Sequence, residues 1–274
     1  VGGKPADISQ NQSISQPAVI IGVLGEDALI DELVQKGKLD VSQIKGQWEA
    51  YKIAVVEKPM PDVEHALVIV GADRRGAIFG TFEISEQMGV SPWYWFADVP
   101  TEQKSNVFIT AGSTQDQPKV RYRGIFINDE DPALKGWAQK KFGGVNAAMY
   151  EHVFDLILRL KGNYIWPAMW GKAFHLDDPK NTALADNMGI VLGTSHHEPM
   201  TRPHAEWHRK SENPAGGGAW NYETNRENIQ KFWRGGIERM MSKGNGKPYE
   251  SLVTVGMRGD GDEPMSEGTA IELL

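Results

Sequence analysis

The sequence predicts an α/β protein, with a small N-terminal α/β domain at residues 1–117 and the first half of a (β/α)8 TIM barrel at residues 118–274. Apolar, β-branched runs alternate with helical periodicities along the chain. From Arg121 onward, each predicted strand ends in polar or aromatic side chains, as strands do at the active-site face of a barrel. A complete barrel needs roughly 250 residues, so we expect its second half to lie outside this truncated chain.

The N-terminal domain is predicted to contain four strands and two helices. The predicted strands are Pro17–Gly25, Tyr51–Val56, Ala66–Gly71 and Val107–Thr110, and apolar periodicity marks helices at 28–34 and 77–88. Residues Gly112–Pro118 are polar and indicate a linker to the second domain.

Four consecutive aromatic residues occur within Ser91–Pro100, S-P-W-Y-W-F-A-D-V-P. Aromatic clusters most often belong to a hydrophobic core, so we expect these side chains to be buried. A platform on which sugar rings stack is the alternative.

The second domain is predicted to contain four β-α steps. Its strands are Gly124–Ile127, Asn163–Trp166, Ile190–Thr194 and Leu252–Val255, with helical patterns at 150–160, 186–189 and 229–240. A doubly wound sheet binds its ligand at one switch point and needs no contribution from every strand. Polar residues after each strand therefore favour the barrel.

Composition excludes several functions. A net charge of -7 and a pI near 5.6 argue against nucleic-acid binding, which needs clustered Lys and Arg. The absence of cysteine excludes disulfides, thiol catalysis and thiolate metal sites. No apolar run reaches the roughly 18 residues of a membrane span. The first residues carry no export signal, so any such signal has been removed from this sequence.

Carboxylates follow several of the predicted strands. Glycoside hydrolysis needs one protonated acid and one ionised carboxylate that attacks or activates water. The candidates are Asp129, Glu130, Glu198 and Asp262. Tryptophans, including Trp166 and Trp170, are concentrated in the same places and could pack on sugar rings. Together these residues suggest a carbohydrate site.

Arg258 lies in the glycine-rich segment V-T-V-G-M-R-G-D-G-D-E-P-M, close to Asp260 and Asp262. It could simply pair with these aspartates. Alternatively, its planar guanidinium could clamp a substrate carboxylate, which would select an acidic sugar.

Four of the seven histidines fall between positions 196 and 208. His196 or His197 could hold a divalent metal with Asp129 and Asp262, although adjacent strand residues point in opposite directions. We favour a polar pocket in which one histidine bonds the ligand, and we expect no cofactor.

Six segments in order resemble glycoside hydrolase family 115, the xylan α-1,2-glucuronidases. They are S-P-W-Y-W-F-A-D-V-P, R-G-I-F-I-N-D-E-D, Y-I-W-P-A-M-W, G-T-S-H-H-E-P-M-T-R, W-N-Y-E-T-N-R-E-N-I and G-M-R-G-D-G-D-E-P-M. The resemblance implies an inverting enzyme that removes glucuronic acid or its 4-O-methyl ether from glucuronoxylan. It also implies an enzyme that is secreted or periplasmic and commonly a homodimer.

By the same resemblance, Asp262 activates water and Arg258 binds the uronate. Asp262 and Glu198 are the predicted catalytic residues, and a further acid is expected beyond residue 274. The predicted substrate-binding residues are Arg258, Asn128, Asp129, Trp166, Trp170, His196, His197 and Asp260. Two alternatives remain open: a metal-dependent barrel hydrolase and a non-catalytic carbohydrate-binding protein.

Overall fold

The computed structural model describes residues 18–128, 131–209, 217–244, 246–256, 258 and 263–265. The chain is a mixed α/β protein that divides into two compact units. One contains residues 18–121 with 158–161, and the other contains residues 122–157 and those from 162 onward. Within the described residues, no helix has the length and apolar character needed to cross a membrane.

The first unit is built around a four-stranded mixed sheet with strand order β1-β3-β2-β4. Its elements are β1 (Ala18–Val23), α1 (Ala28–Gln35), β2 (Tyr51–Met60), β3 (Val63–Gly71), α2 (Arg74–Gln87) and β4 (Ser113–Asp116). β3 pairs parallel to β1 and antiparallel to β2, so it lies in the interior of the sheet. This position explains the continuous apolar run of Ala66–Val70, which is buried throughout.

The two helices cover opposite faces of this sheet. Successive strand side chains alternate between the faces, so neighbouring residues of β3 contact different helices. On one face, Ile30 and Leu33 of α1 pack with Val68 and neighbouring apolar residues in a buried cluster. On the other face, α2 approaches closely at Gly80, where an added Cβ would press on Ile69 and Tyr51. The first unit therefore has a three-layer arrangement.

Three predictions for this unit are wrong. The predicted linker Gly112–Pro118 contains β4, which pairs with β2 as part of the sheet. The last strand is Ser113–Asp116 rather than Val107–Thr110, and all four of its residues are exposed. An edge strand needs only backbone partners on one side, so hydrophobic patterning does not reveal it. The Val107–Thr110 segment instead lines a cavity of about 580 Å³ beside β2 and α2. The aromatic side chains at 93–96 are half-buried or exposed rather than part of the core.

The second unit contains three paired strands and six helices among its described residues. They are β5 (Gly124–Phe126), α3 (Ala133–Phe142), α4 (Ala147–Arg159, in this unit up to residue 157), β6 (Tyr164–Trp166), α5 (Phe174–Asp177), α6 (Lys180–Met188), β7 (Val191–Leu192), α7 (His204–His208) and α8 (Tyr222–Met240). Short 3-10 turns lie at Pro199–Thr201 and Met241–Lys243. The Asn221 side chain caps α8 by accepting the Glu223 and Thr224 amides.

The strands of this unit are parallel and neighbour one another in chain order, β5-β6-β7. The predicted fourth strand, Leu252–Val255, is reduced to a parallel bridge between Leu192 and Ser251. Leu192 nevertheless bonds the backbone on both sides of Ser251, at Glu250 and at Leu252.

Helix α3 was missed because it buries only Ala138 and so carries no apolar stripe.

Candidate functional site

Five predicted site residues follow the carboxyl ends of adjacent parallel strands. They are Asn128 after β5, Trp166 at the end of β6, and His196, His197 and Glu198 after β7. Parallel strands share one carboxyl edge, so the sheet brings these segments to the same edge. Trp170 lies in the segment that leaves β6.

Three predicted site residues, Asp129, Asp260 and Asp262, lie outside the residues that the structure describes, as does the candidate Glu130. Their roles remain predictions. Arg258 is described and exposed, and it forms an antiparallel bridge with Pro264. Its carbonyl oxygen accepts a 2.9 Å hydrogen bond from the indole N–H of Trp220.

Glu198 is a carboxyl with only 2% of its surface exposed. Its Oε1 accepts the His204 amide at 3.0 Å, and its Oε2 accepts the Ser195 amide at 3.3 Å. Burial raises its pKa from 4.5 to about 7 against the effect of these hydrogen bonds, and the negative charge of Glu206 adds to the rise. A carboxyl with this pKa exchanges a proton near neutral pH, as acid and base catalysts do.

The loop that follows Glu198 has a strained backbone. Met200 and Thr201 both have φ of 56°, in the left-handed region that non-glycine residues rarely adopt. The Met200 amide donates to the Thr254 carbonyl at 3.0 Å, and the Thr201 hydroxyl donates to the Gly236 carbonyl at 3.0 Å. A Cβ at Gly236 would collide with the Met200 carbonyl oxygen. Backbone strain maintained by such surroundings is typical of functional sites.

The Trp166 ring is oriented by the residues around it. Its indole N–H donates to the Tyr164 hydroxyl, and its ring lies edge-on to Phe126 with centroids 5.4 Å apart. Burial raises the pKa of Tyr164, so this hydroxyl keeps its proton. Gly193 leaves room for the hydroxyl, because a Cβ there would collide with it. The centroid of the Trp166 ring is 6.3 Å from that of the exposed His196 ring.

His197 lies in a row of rings beside Glu198. It is 3% exposed, and its ring centroid is 5.7 Å from Trp170, 4.8 Å from His196 and 6.0 Å from His204. Trp170 is 49% exposed. A half-exposed tryptophan next to buried polar groups suits a ligand such as a sugar, which has one apolar face and several hydroxyls.

Helices α7 and α8 contribute residues that have no role predicted from the sequence. His204 donates its amide to Glu198, and its ring lies 4.8 Å from Trp220. Glu206 is 1% exposed and forms ion pairs with Arg202 and Arg239. The i, i+4 spacing of Arg202 and Glu206 was one available signal. Arg239 is distant in sequence, and only the fold reveals its contact.

In the described part of the chain, no three histidine, aspartate or glutamate side chains are grouped so that they could hold a metal ion. The metal alternative also uses Asp129 and Asp262, which lie outside that part. It therefore remains a prediction.

Residues 115–274 match the model of glycosyl hydrolase family 115. Among solved structures, the chain is similar to a family GH115 4-O-methyl-α-glucuronidase, BtGH115A, described as having specificity for decorated arabinogalactans. The two are 33% identical with a TM-score of 0.77, over 93% of this chain and 32% of that one. This chain thus spans about a third of the length of that glucuronidase. No curated protein matches it.

Proposed function

Because this chain belongs to glycosyl hydrolase family 115, we propose that the full-length protein is an α-glucuronidase. Its substrate is glucuronoxylan or oligosaccharides derived from it, from which it removes α-1,2-linked glucuronic acid or the 4-O-methyl ether. The observation that carries this proposal is the 33% identity to a 4-O-methyl-α-glucuronidase over nearly the whole chain. The proton-exchanging Glu198 at the carboxyl edge of the parallel sheet supports it.

The architecture proposed for the full-length protein has an N-terminal α/β domain at residues 1–117 and a (β/α)8 barrel that begins at residue 118. Strands that are parallel and adjacent in chain order, with chemically suited residues after each, support the barrel. The much greater length of the similar glucuronidase supports further barrel strands beyond this chain.

We propose that hydrolysis inverts the anomeric configuration. Asp262 acts as the base that activates water. Among the carboxyl groups in the part of the chain that the structure describes, Glu198 is best suited to supply the proton to the leaving oxygen. Its pKa of about 7 keeps a large share of the carboxyls protonated near neutral pH, as an acid catalyst requires. Inversion requires the two carboxyl groups to lie about 6.5–9.5 Å apart, so that water fits between substrate and base. A glutamate beyond residue 274 is the competing candidate for the acid.

The remaining predicted residues form the proposed sugar site. Arg258 binds the uronate carboxylate in a bidentate manner, because a guanidinium matches the geometry of a carboxylate. Trp166 and Trp170 pack on apolar ring faces. The hydroxyls are bound by the polar residues of the site, namely Asn128, Asp129, His196, His197 and Asp260.

The chemistry proposed here needs no metal or cofactor, since two carboxyl groups suffice for inversion. A polymeric plant substrate is met outside the cytoplasm, so we propose that the protein is secreted or periplasmic. We also propose that the full-length protein is a homodimer.

The test is uronate release by the full-length protein and its Asp262→Ala, Glu198→Gln and Arg258→Ala variants. Glucuronoxylan and an arabinogalactan decorated with 4-O-methylglucuronic acid are compared as substrates. We expect no release by Asp262→Ala and at least a hundred-fold lower kcat in Glu198→Gln, as is typical when acid–base catalysis is lost. Arg258→Ala should chiefly raise KM. NMR of the first-formed uronate should show the β-anomer.

Absence of uronate release from both polymers by the folded protein would contradict the proposal. Binding of the polymers without turnover would then favour the carbohydrate-binding alternative. Full activity of Glu198→Gln alone would transfer the acid role to a residue beyond this chain.

A further inference from the structure

Glu206 is a buried carboxylate that the proposed reaction does not use. It lies on α7 and is 1% exposed. Its Oε2 is 2.7 Å from Nε of Arg202, and its Oε1 accepts from Nη1 of Arg239 at 2.9 Å. A carboxylate is costly to bury unless positive partners surround it, so this group depends on both arginines.

The two arginines connect Glu206 to other parts of the unit. Nη2 of Arg239, on α8, donates to the carbonyl oxygen of Thr201 at 2.8 Å. The Arg202 guanidinium lies 3.9 Å from the ring centroid of Phe232, also on α8. The cluster of Arg202, Glu206 and Arg239 therefore joins α7 and α8 to the strained turn at Met200 and Thr201.

The same elements hold Glu198. The amide of His204, the first residue of α7, donates to Oε1 of Glu198 at 3.0 Å, and Glu206 lies in the same short helix. Helix α7 is only five residues long, so its position depends on contacts rather than on its own stability. We therefore expect a substitution at Glu206 or Arg239 to shift the His204 amide that donates to Glu198.

We propose that Glu206 and Arg239 are positioning residues for Glu198, which fix the His204 amide on its carboxyl and set the balance of charge around it. This inference rests on the proposed function, in which Glu198 handles a proton.

We expect the charges of Glu206 and Arg239 to act in opposite directions on Glu198. The negative charge of Glu206 favours the protonated form of Glu198. Arg239 forms an ion pair with Glu206, so its positive charge should offset part of that effect. His175 adds no charge at neutral pH, because burial and the nearby charges of Arg239 and Arg202 hold its pKa well below 6.5. The charged and titratable groups around Glu198 in the described residues are His196 and His197 on its loop, Arg202 before α7, His204, Glu206 and His208 on α7, His175 on α5 and Arg239 on α8.

The experiment compares pH profiles of kcat for uronate release by full-length wild type, Glu206→Gln, Arg239→Met and Arg239→Lys. An acid that must be protonated loses activity as pH rises through its pKa. Glu206→Gln should move this alkaline limb to lower pH and Arg239→Met to higher pH, each by roughly half a pH unit or more, as expected for charges in one network. Arg239→Lys keeps the charge and should leave the limb close to wild type.

Lys243→Met is the matched control, because Lys243 follows α8 directly but pairs with Asp186 instead. It should leave the profile unchanged. A purely structural role lowers kcat without opposite shifts of the limb, so unchanged limbs, or limbs that move in the same direction, would overturn the inference. If Arg239→Met is too unstable to assay, the other two variants still test the inference. Glu206→Gln must move the alkaline limb to lower pH, and Arg239→Lys must leave it close to wild type. A wild type that releases no uronate contradicts the proposed function, whereas an active wild type whose variants share its limb contradicts only the positioning roles.

Discussion

Replacing Glu198 with glutamine should remove a pH-dependent contribution to stability. Burial raises the pKa of Glu198 from 4.5 to about 7, so the folded state holds this proton more tightly than the unfolded chain does. Below about pH 4.5 both states carry the proton and the stabilisation is fully present. As pH rises to about 7 the unfolded chain releases the proton first, and stability falls until the folded state releases it too.

The magnitude follows from the shift in pKa. Each pKa unit corresponds to about 1.4 kcal/mol, so wild type should lose about 3 kcal/mol relative to Glu198→Gln between roughly pH 4 and pH 8. For a domain of roughly 150–250 residues, this corresponds to a change of about 6–12 °C in the difference between the two melting temperatures.

The assay is a series of thermal melts of the full-length protein across this pH range, followed by tryptophan fluorescence because Trp170 and Trp207 lie near the site. Glu227→Gln, on the exposed side of α8, is the control and should give a difference that is small at every pH. A difference that does not change with pH would refute the conclusion that burial raises the pKa of Glu198 in the folded state. If wild type instead gained stability relative to Glu198→Gln as pH rose, Glu198 would be stabilised as the anion.

Three further predictions address the loop, the sugar site and the metal alternative. Gly236→Ala should destabilise the protein by roughly 1–3 kcal/mol in denaturant melts, because its Cβ meets the fixed Met200 carbonyl. Gly136→Ala in α3 is the control, because a Cβ there makes only an ordinary 3.5 Å contact with Pro132, and equal losses would contradict this packing. Trp170→Ala should weaken binding of a glucuronylated oligosaccharide about ten-fold by calorimetry, with Phe108→Ala as the exposed control, and unchanged affinity would exclude a stacking role. Chelator should leave uronate release unchanged, and a loss that a divalent cation restores would favour the metal-dependent hydrolase.

The sequence predicted those parts of the fold that depend on local pattern. An apolar run predicted the buried strand at Ala66–Gly71. Gly89 predicted the end of the helix before it, and its positive φ in the structure is the conformation that glycine adopts readily. The exposed edge strand Ser113–Asp116 did not, because its pairing with β2 depends on backbone groups that any sequence supplies. The prediction that the aromatic side chains at 93–96 are buried was wrong, because composition alone does not show which residues would cover the rings.

The candidate site was predictable to a similar extent. His197 and Glu198 lie in the segment that follows a buried strand, and that position indicated a functional edge. The contact of Arg239 with Glu206 joins helices far apart in sequence, and no spacing rule predicts it. The raised pKa of Glu198 likewise depends on burial by the whole unit, which the sequence around it does not specify.

The two sheets differ in when they can form as the chain is synthesised. In the second unit each strand pairs with the strand before it, so β6 finds β5 already made, and β7 finds β6. In the first unit β1 pairs with β3 alone among the described strands, so it must wait until synthesis has passed β2. Because β2 is synthesised before β3, a strand that is not its neighbour in the folded sheet is available to β1 before its partner is. An emerging chain of this protein is therefore most exposed to mispairing at β1, whose Val19 and Ile21 still present apolar surface in the folded unit.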